Sequence, residues 1–151
     1  MTKAIYFDMD GTIADLYGVE NWLPMLINHN PMPYEMARPL VRLATLARLL
    51  NELQKMGYII GIVSWLAKNS DVNYDNAVIN AKRKWLATHL KSVQFDEVQI
   101  VPYGKPKSEV VNHSNGILFD DEEKNRTEWK GTAFDVKEIL QVLKKEVDKN
   151  R

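Results

Sequence analysis

The stretch KAIYFDMDGTIAD, residues 3–15, joins an unbroken apolar run, Ala4 to Phe7, to two carboxylates, Asp8 and Asp10, and then to a glycine. Four consecutive apolar residues suit a strand buried on both faces, as found inside parallel sheets. Alternate residues of an extended chain point the same way, so Asp8 and Asp10 are expected to face one small volume, and Gly11 lets the chain turn sharply after them. Two ionised carboxylates about 4 Å apart repel by about 4 kcal/mol at an effective dielectric of about 20, and a phosphate dianion adds to the repulsion. Either a cation joins them or one acid keeps its proton. A hard divalent ion with oxygen ligands, most naturally Mg²⁺, would link Asp8 to a phosphate, and a protonated Asp10 would serve a leaving oxygen as general acid.

Working outward, four more strands are expected at residues 58–63, 97–101, 116–119 and 132–134. Helices fall between them. One takes Pro39 into its first turn, carries Leu43, Leu46, Ala47, Leu50 and Leu53 at helical spacing and ends at Gly57. A second covers about residues 76–90, and a last one starts at Val136 behind an Asp135/Glu138 capping box. Strands alternating with helices imply right-handed crossovers and an α/β fold: a doubly wound, Rossmann-like sheet of five mainly parallel strands with helices on both faces. Residues 15–38 break the rhythm. Pro24, Pro31 and Pro33 rule out one long helix there, and Trp22, Leu23, Met25, Leu26 and Ile27 suit a short cap packed over the active edge, or an interface. A single domain over residues 1–151 carrying that insertion is expected.

In such a sheet ligands bind beyond the carboxyl ends of the strands. Asp8 and Asp10, Ser64, Lys105 and Lys107, and Asp120 and Asp121 all follow predicted strands. The hydroxyl and backbone N–H of Ser64 can hold a phosphate oxygen. His29, His89 and His113 are expected at the surface, so a serine triad has no support. A lysine fixed among these acids would offset both ground-state repulsion and the charge of a transferring group. Lys82, Arg83 and Lys84 read as a solvated helix face in preference to a polyanion contact. Tyr17, Trp22, Tyr34 and Trp65 can stack on a base, but packing of the insertion against the body is the favoured reading.

Bulk composition narrows the class further. Twenty basic residues balance twenty acidic ones, which gives no argument for a polyanion-binding or membrane-attracted surface. The lack of cysteine excludes disulfides and thiolate metal sites and fits a reducing compartment. No apolar run approaches the roughly 20 residues of a membrane span, and the first strand begins almost at once, so a cytoplasmic protein without membrane contact is expected.

Asp8-Met-Asp10-Gly-Thr, a strand ending in Ser64, a following lysine, and Asp120-Asp121 with Asn125 together resemble the four ordered motifs of the haloacid dehalogenase superfamily, in a small-cap form. The resemblance runs from Ala4 to about Asn125. It implies a phosphatase in which Asp8 is the nucleophile that forms an aspartyl-phosphate and Asp10 protonates the leaving group and then activates water. It implies a phosphate site at Gly11, Thr12, Ser64, Trp65 and the motif lysine, Lys107 at the start of its helix in preference to Lys105. It places Mg²⁺ on Asp8, the backbone carbonyl of Asp10, Asp120 and Asp121, with Asn125 supporting that loop. The second aspartate argues against dehalogenation and for phosphomonoester hydrolysis. A phosphorylated small molecule is the implied partner, with a nucleotide or a nucleic-acid end among the candidates, and a small cap leaves room for a homodimer formed through the insertion. The alternative reading is a non-catalytic phosphate- or metal-binding regulatory module of the same fold.

Overall fold

The computed structural model describes residues 3–151. Strand β1 (Ala4–Phe7) lies at the centre of a five-stranded parallel sheet, and its four residues are all buried. After it come β2 (Ala14–Asp15), a 3-10 turn (Leu16–Gly18), α1 (Trp22–Ile27), α2 (Met32–Met36) and β3 (Arg38–Pro39). The α3 helix (Leu43–Lys55) leads into β4 (Ile59–Trp65), α4 (Val72–His89), β5 (Glu97–Val101) and α5 (Lys107–Val110). The chain closes with β6 (Ile117–Phe119), α6 (Glu123–Glu128), β7 (Thr132–Phe134) and α7 (Ile139–Lys149).

The strand order is β5-β4-β1-β6-β7. The chain therefore lays β4 and β5 on one side of β1, then crosses to lay β6 and β7 on the other. Ala4 to Phe7 pair with Ile59 to Ile62, and Ile5 to Phe7 with Ile117 to Phe119, all in parallel. The reversal of winding falls between β1 and β6, which is where such sheets open a crevice at their carboxyl ends. Asp8 and Asp120 stand on its two lips; the Asp8 amide still donates to the Phe119 carbonyl at 2.9 Å.

Alternation along the strands builds two cores. Ile5, Phe7, Ile60, Ile62 and Phe119 pack with Leu46, Leu50 and Leu53 of α3, Trp85 of α4 and Leu143 of α7. On the opposite face Ala4, Tyr6, Val63 and Leu118 meet Trp129 and Val110. The α3 helix ends as its sequence suggests: Gly57 takes φ +95°, a conformation that favours glycine, and the Tyr58 amide reaches back to the Leu53 carbonyl at 3.0 Å. The Asp135/Glu138 capping box is present, heading a 3-10 turn (Val136–Glu138) that runs into α7.

Two expectations are corrected. Pro39 is not in a helix: it pairs with Ala14 in a two-stranded antiparallel ribbon, and α3 starts only at Leu43. A short edge strand tolerates the missing N–H, and the ribbon ties the two ends of the insertion together. The α4 helix begins at Val72, four residues ahead of the predicted start, because Asp71 caps it by accepting from the Tyr74 amide at 2.8 Å. Within the insertion α1 buries no residue, whereas Pro33 and Tyr34 of α2 are buried. The Trp85 indole donates to the Ala37 carbonyl at 2.8 Å, the Tyr74 hydroxyl donates to the Asn30 carbonyl at 3.1 Å, and the His29 ring stacks on Tyr74 at 4.7 Å. These contacts dock the insertion on α4. Among the described residues no helix is long and apolar enough to cross a membrane.

Candidate active site

The turn after β1 is wound around one carbonyl: Met9 O accepts from the amides of Thr12, Ile13 and Ala14, each at 3.0 Å. Gly11 makes this possible at φ +79°, and a Cβ there would collide with the Asp121 carboxylate. The Thr12 side chain is thereby turned inward. Its hydroxyl donates to Asp8 Oδ2 at 2.9 Å and accepts from the Asp121 amide at 3.2 Å, so it joins the two acidic loops instead of facing the cavity.

Asp8 and Asp120 are both buried. Lys107, also buried, lies between them, donating to Asp8 Oδ1 at 2.9 Å and to Asp120 Oδ2 at 2.6 Å. The two lysines are placed differently. Lys105 is exposed, and it reaches the site only through its carbonyl, which accepts from the Trp65 indole at 2.8 Å. Burial alone would lower the pKa of Lys107, but the charges of Asp8 and Asp120 outweigh it and hold the ammonium well above its ordinary value. The Asp120 loop is braced by the Glu122 amide on Asp120 Oδ1 and by Arg126 on the Asp120 carbonyl, both at 2.9 Å. Asn125 is buried and faces Glu122 Oε2 at 3.4 Å.

Lys82 is the residue at the candidate site that the sequence reading placed elsewhere. Expected on a solvated face, it is 1% exposed, and its ammonium donates to Ser64 Oγ at 2.7 Å, to the Trp65 carbonyl at 2.8 Å and to Asp10 Oδ2 at 2.9 Å. A lysine has three N–H donors, and all three are used. Only Arg83 and Lys84 of that basic run are exposed. The missed signal was helical spacing: Tyr74, Val78, Ala81, Lys82, Trp85 and Leu86 form the buried stripe of α4, and Lys82 belongs to it.

Oxygen atoms of Asp8, Asp120 and Asp121 lie within 4.8 Å of one another. Three carboxylates at that spacing, all hard oxygen donors, fit a small divalent cation. The Asp10 carboxylate is outside this trio and is held by Lys82. Burial raises the pKa of Asp120 and Asp121, and the charge of Asp8 raises both further. Burial likewise raises Asp10, against the opposing charge of Lys82.

These shifts have a consequence for stability. The folded chain holds protons on Asp120 and Asp121 at pH values where an unfolded chain, with carboxylates near 3.8, has released them. Stability of the metal-free protein is therefore expected to fall as pH rises from about 4 through neutrality. A divalent cation held by the three carboxylates would replace those protons. In thermal melts, Mg²⁺ should raise Tm more at alkaline than at acidic pH, and an equal gain at both would contradict this.

No protein-family model and no curated protein matches the chain. Among the solved structures similar to it are two at 14% identity. One is D,D-heptose 1,7-bisphosphate phosphatase from Burkholderia thailandensis, over 83% of this chain and 70% of that one with a TM-score of 0.48. The other is the HAD domain of the effector protein Lem4 from Legionella pneumophila, over 99% of this chain and 95% of that one with a TM-score of 0.46. Likenesses at this level carry no argument about the site, whose chemistry rests on its own geometry.

Proposed function

We infer that this chain is a haloacid dehalogenase superfamily member that hydrolyses phosphate monoesters with Mg²⁺ through an aspartyl-phosphate on Asp8. The observation that carries this reading is the unequal setting of the two aspartates. Asp8 is held by Lys107 and Thr12 beside Asp120 and Asp121, whereas Asp10 is held apart by Lys82. One faces the cluster that fits a cation; the other stands apart from it, and to that one we assign the transfer of a proton.

Lys107 and Thr12 fix the two oxygens of Asp8, which restricts the carboxylate to one orientation for in-line attack. An Asp8 oxygen bonds to phosphorus as the ester P–O bond breaks, and Asp10 passes its proton to the departing oxygen, which leaves as an alcohol. Asp10, now ionised, takes a proton from water. The water oxygen bonds to phosphorus, the bond to Asp8 breaks, and phosphate leaves with Asp8 restored. Ser64, fully buried with its oxygen accepting from Lys82, is the residue we assign to the phosphoryl oxygens, its own O–H being the donor. When bound, Mg²⁺ on Asp8, Asp120 and Asp121 would neutralise phosphoryl charge and align the group with Asp8.

The test is phosphate release by the purified chain from an aryl phosphate and from a panel of monoesters including mononucleotides and phosphorylated oligonucleotides. Release that stops with EDTA and returns with excess Mg²⁺ is expected. Folded protein that releases no phosphate from any of them would contradict the reading.

A further inference from the structure

We propose that the cavity beside the acidic cluster is a leaving-group pocket for a phosphate monoester whose alcohol carries a flat, uncharged aromatic ring. The proposal rests on the phosphomonoester reading above. The cavity, about 500 Å³, begins at Asp8, Asp10 and Lys107 and continues between two aromatic pairs contributed by different parts of the chain. That volume suits one small molecule.

On the body side Trp65 directly follows Ser64. Its indole N–H is spent on the Lys105 carbonyl, its ring lies 4.9 Å from Tyr103, and Lys107 Nζ lies 5.4 Å from its centroid. The indole is thus a fixed platform with no donor left for a ligand; what it offers is π surface. On the insertion side Tyr17 and Trp22 pack edge to face with centroids 5.0 Å apart. Leu16, Leu23, Leu26, Ile27 and Leu66 also line the space. Leu23 and Ile27 are 50% and 70% exposed, so apolar surface faces outward at the cavity rim. Tyr34 also lines the cavity, but it is buried in the cluster with α4 residues and forms wall, not rim.

Beyond the carboxylate end the polar residues bordering the cavity are His29, Lys68, Asn69 and the hydroxyl-bearing Tyr17, Tyr34 and Tyr103, and Lys68 Nζ lies over the Tyr103 ring at 4.7 Å. His29 borders the cavity, but its ring is engaged with the Asn69 carbonyl at 3.1 Å and Asp71 Oδ2 at 3.4 Å. A polyol phosphate would surrender water from several hydroxyls and gain nothing from the aromatic faces and leucine side chains that make up much of the wall. A planar ring surrenders none and gains stacking. A nucleobase and a simple aryl group share the stacking face, and differ in the water that the base's edge and the ribose give up.

Calorimetric titration of the full chain with Mg²⁺ separates the cases without requiring turnover. The probes are methylphosphonate, phenylethyl phosphonate, a dihydroxybutyl phosphonate and a nucleoside 5′-methylenephosphonate. The ring-bearing probes should bind about tenfold to a hundredfold more tightly than methylphosphonate, and the dihydroxybutyl probe no more tightly. Trp65→Ala and Tyr17→Ala should each remove most of that preference; Tyr17 is 48% exposed, so its variant keeps the test readable if Trp65→Ala misfolds. A nucleoside probe tighter than the phenylethyl probe assigns the ring to a base, and the reverse order assigns it to an aryl alcohol. Equal binding of all probes overturns the proposal, as does a ring preference that survives both variants. A homodimer abolished by Ile27→Glu, with no ring preference in the monomer, would give the apolar lining to a second copy and also overturn it. Phosphate release measured on the same samples distinguishes the two readings: turnover without ring preference defeats only the pocket, and ring-preferring binding without turnover defeats only the hydrolase.

Discussion

Asp8→Asn is expected to lower kcat for phosphate release by about 10⁴-fold or more, because an amide cannot supply the attacking oxygen and removing one member of a concerted set removes most of its effect. The loss should come without unfolding. Asp8 is a source of the repulsion that raises Asp120 and Asp121, so neutralising it relieves the cluster, while Lys107 keeps its bond to Asp120. Metal-free Tm at alkaline pH should therefore not fall. Asp10→Asn is expected to behave differently according to the leaving group. With an alkyl phosphate both the departure of the alcohol and the attack of water are slowed. With a nitrophenyl phosphate, whose leaving group departs without a proton, mainly the second step suffers. Steady-state and burst kinetics on the two substrate types check this; identical losses on both would remove Asp10 from its acid role.

Lys82→Met carries the second large effect, on stability and on rate together. The substitution keeps much of the stem volume but leaves Asp10 Oδ2, Ser64 Oγ and the Trp65 carbonyl without their shared donor. Breaking a buried pair from one side costs about 3–5 kcal/mol, read from denaturant unfolding. In the fraction that folds, Asp10 and Ser64 are no longer held, and misplacement on the order of 1 Å costs about 10²-fold in kcat. Affinity for inorganic phosphate should change much less, because all three Lys82 donors are spent on protein atoms. Lys82→Arg is not expected to rescue the rate, since a planar guanidinium cannot reproduce three bonds from one nitrogen. Folded Lys82→Met with wild-type kcat would remove Lys82 from the machinery.

The sheet was legible because its strands are short apolar runs; Asp8 and Asp120 directly follow β1 and β6, whereas Ser64, expected just after its strand, lies inside β4, one residue before its end. Residues that act from strand ends can be found by position alone. Lys82 acts from the middle of a helix, inside a run of three basic residues, where local composition points to solvent and only the helical stripe through Tyr74, Val78, Ala81 and Trp85 points inward. Lys105 and Lys107 could not be separated in sequence because the distinction is one of direction at the start of α5: one side chain is exposed and the other bridges Asp8 and Asp120. Pro39 was misplaced for a different reason. A proline fits the first turn of a helix and an edge strand alike, and the choice was made by pairing with Ala14, far upstream in the turn after β1.

The central claim is that Asp8 becomes phosphorylated. Asp10→Asn protein, mixed with Mg²⁺ and nitrophenyl phosphate and quenched in acid within the first turnover, should carry one added phosphoryl group by intact mass, labile to hydroxylamine and mapped by peptide sequencing to Asp8. Release of nitrophenol at the wild-type first-turnover rate with no phosphoryl group on the protein, or with the group on any other residue, would contradict the account.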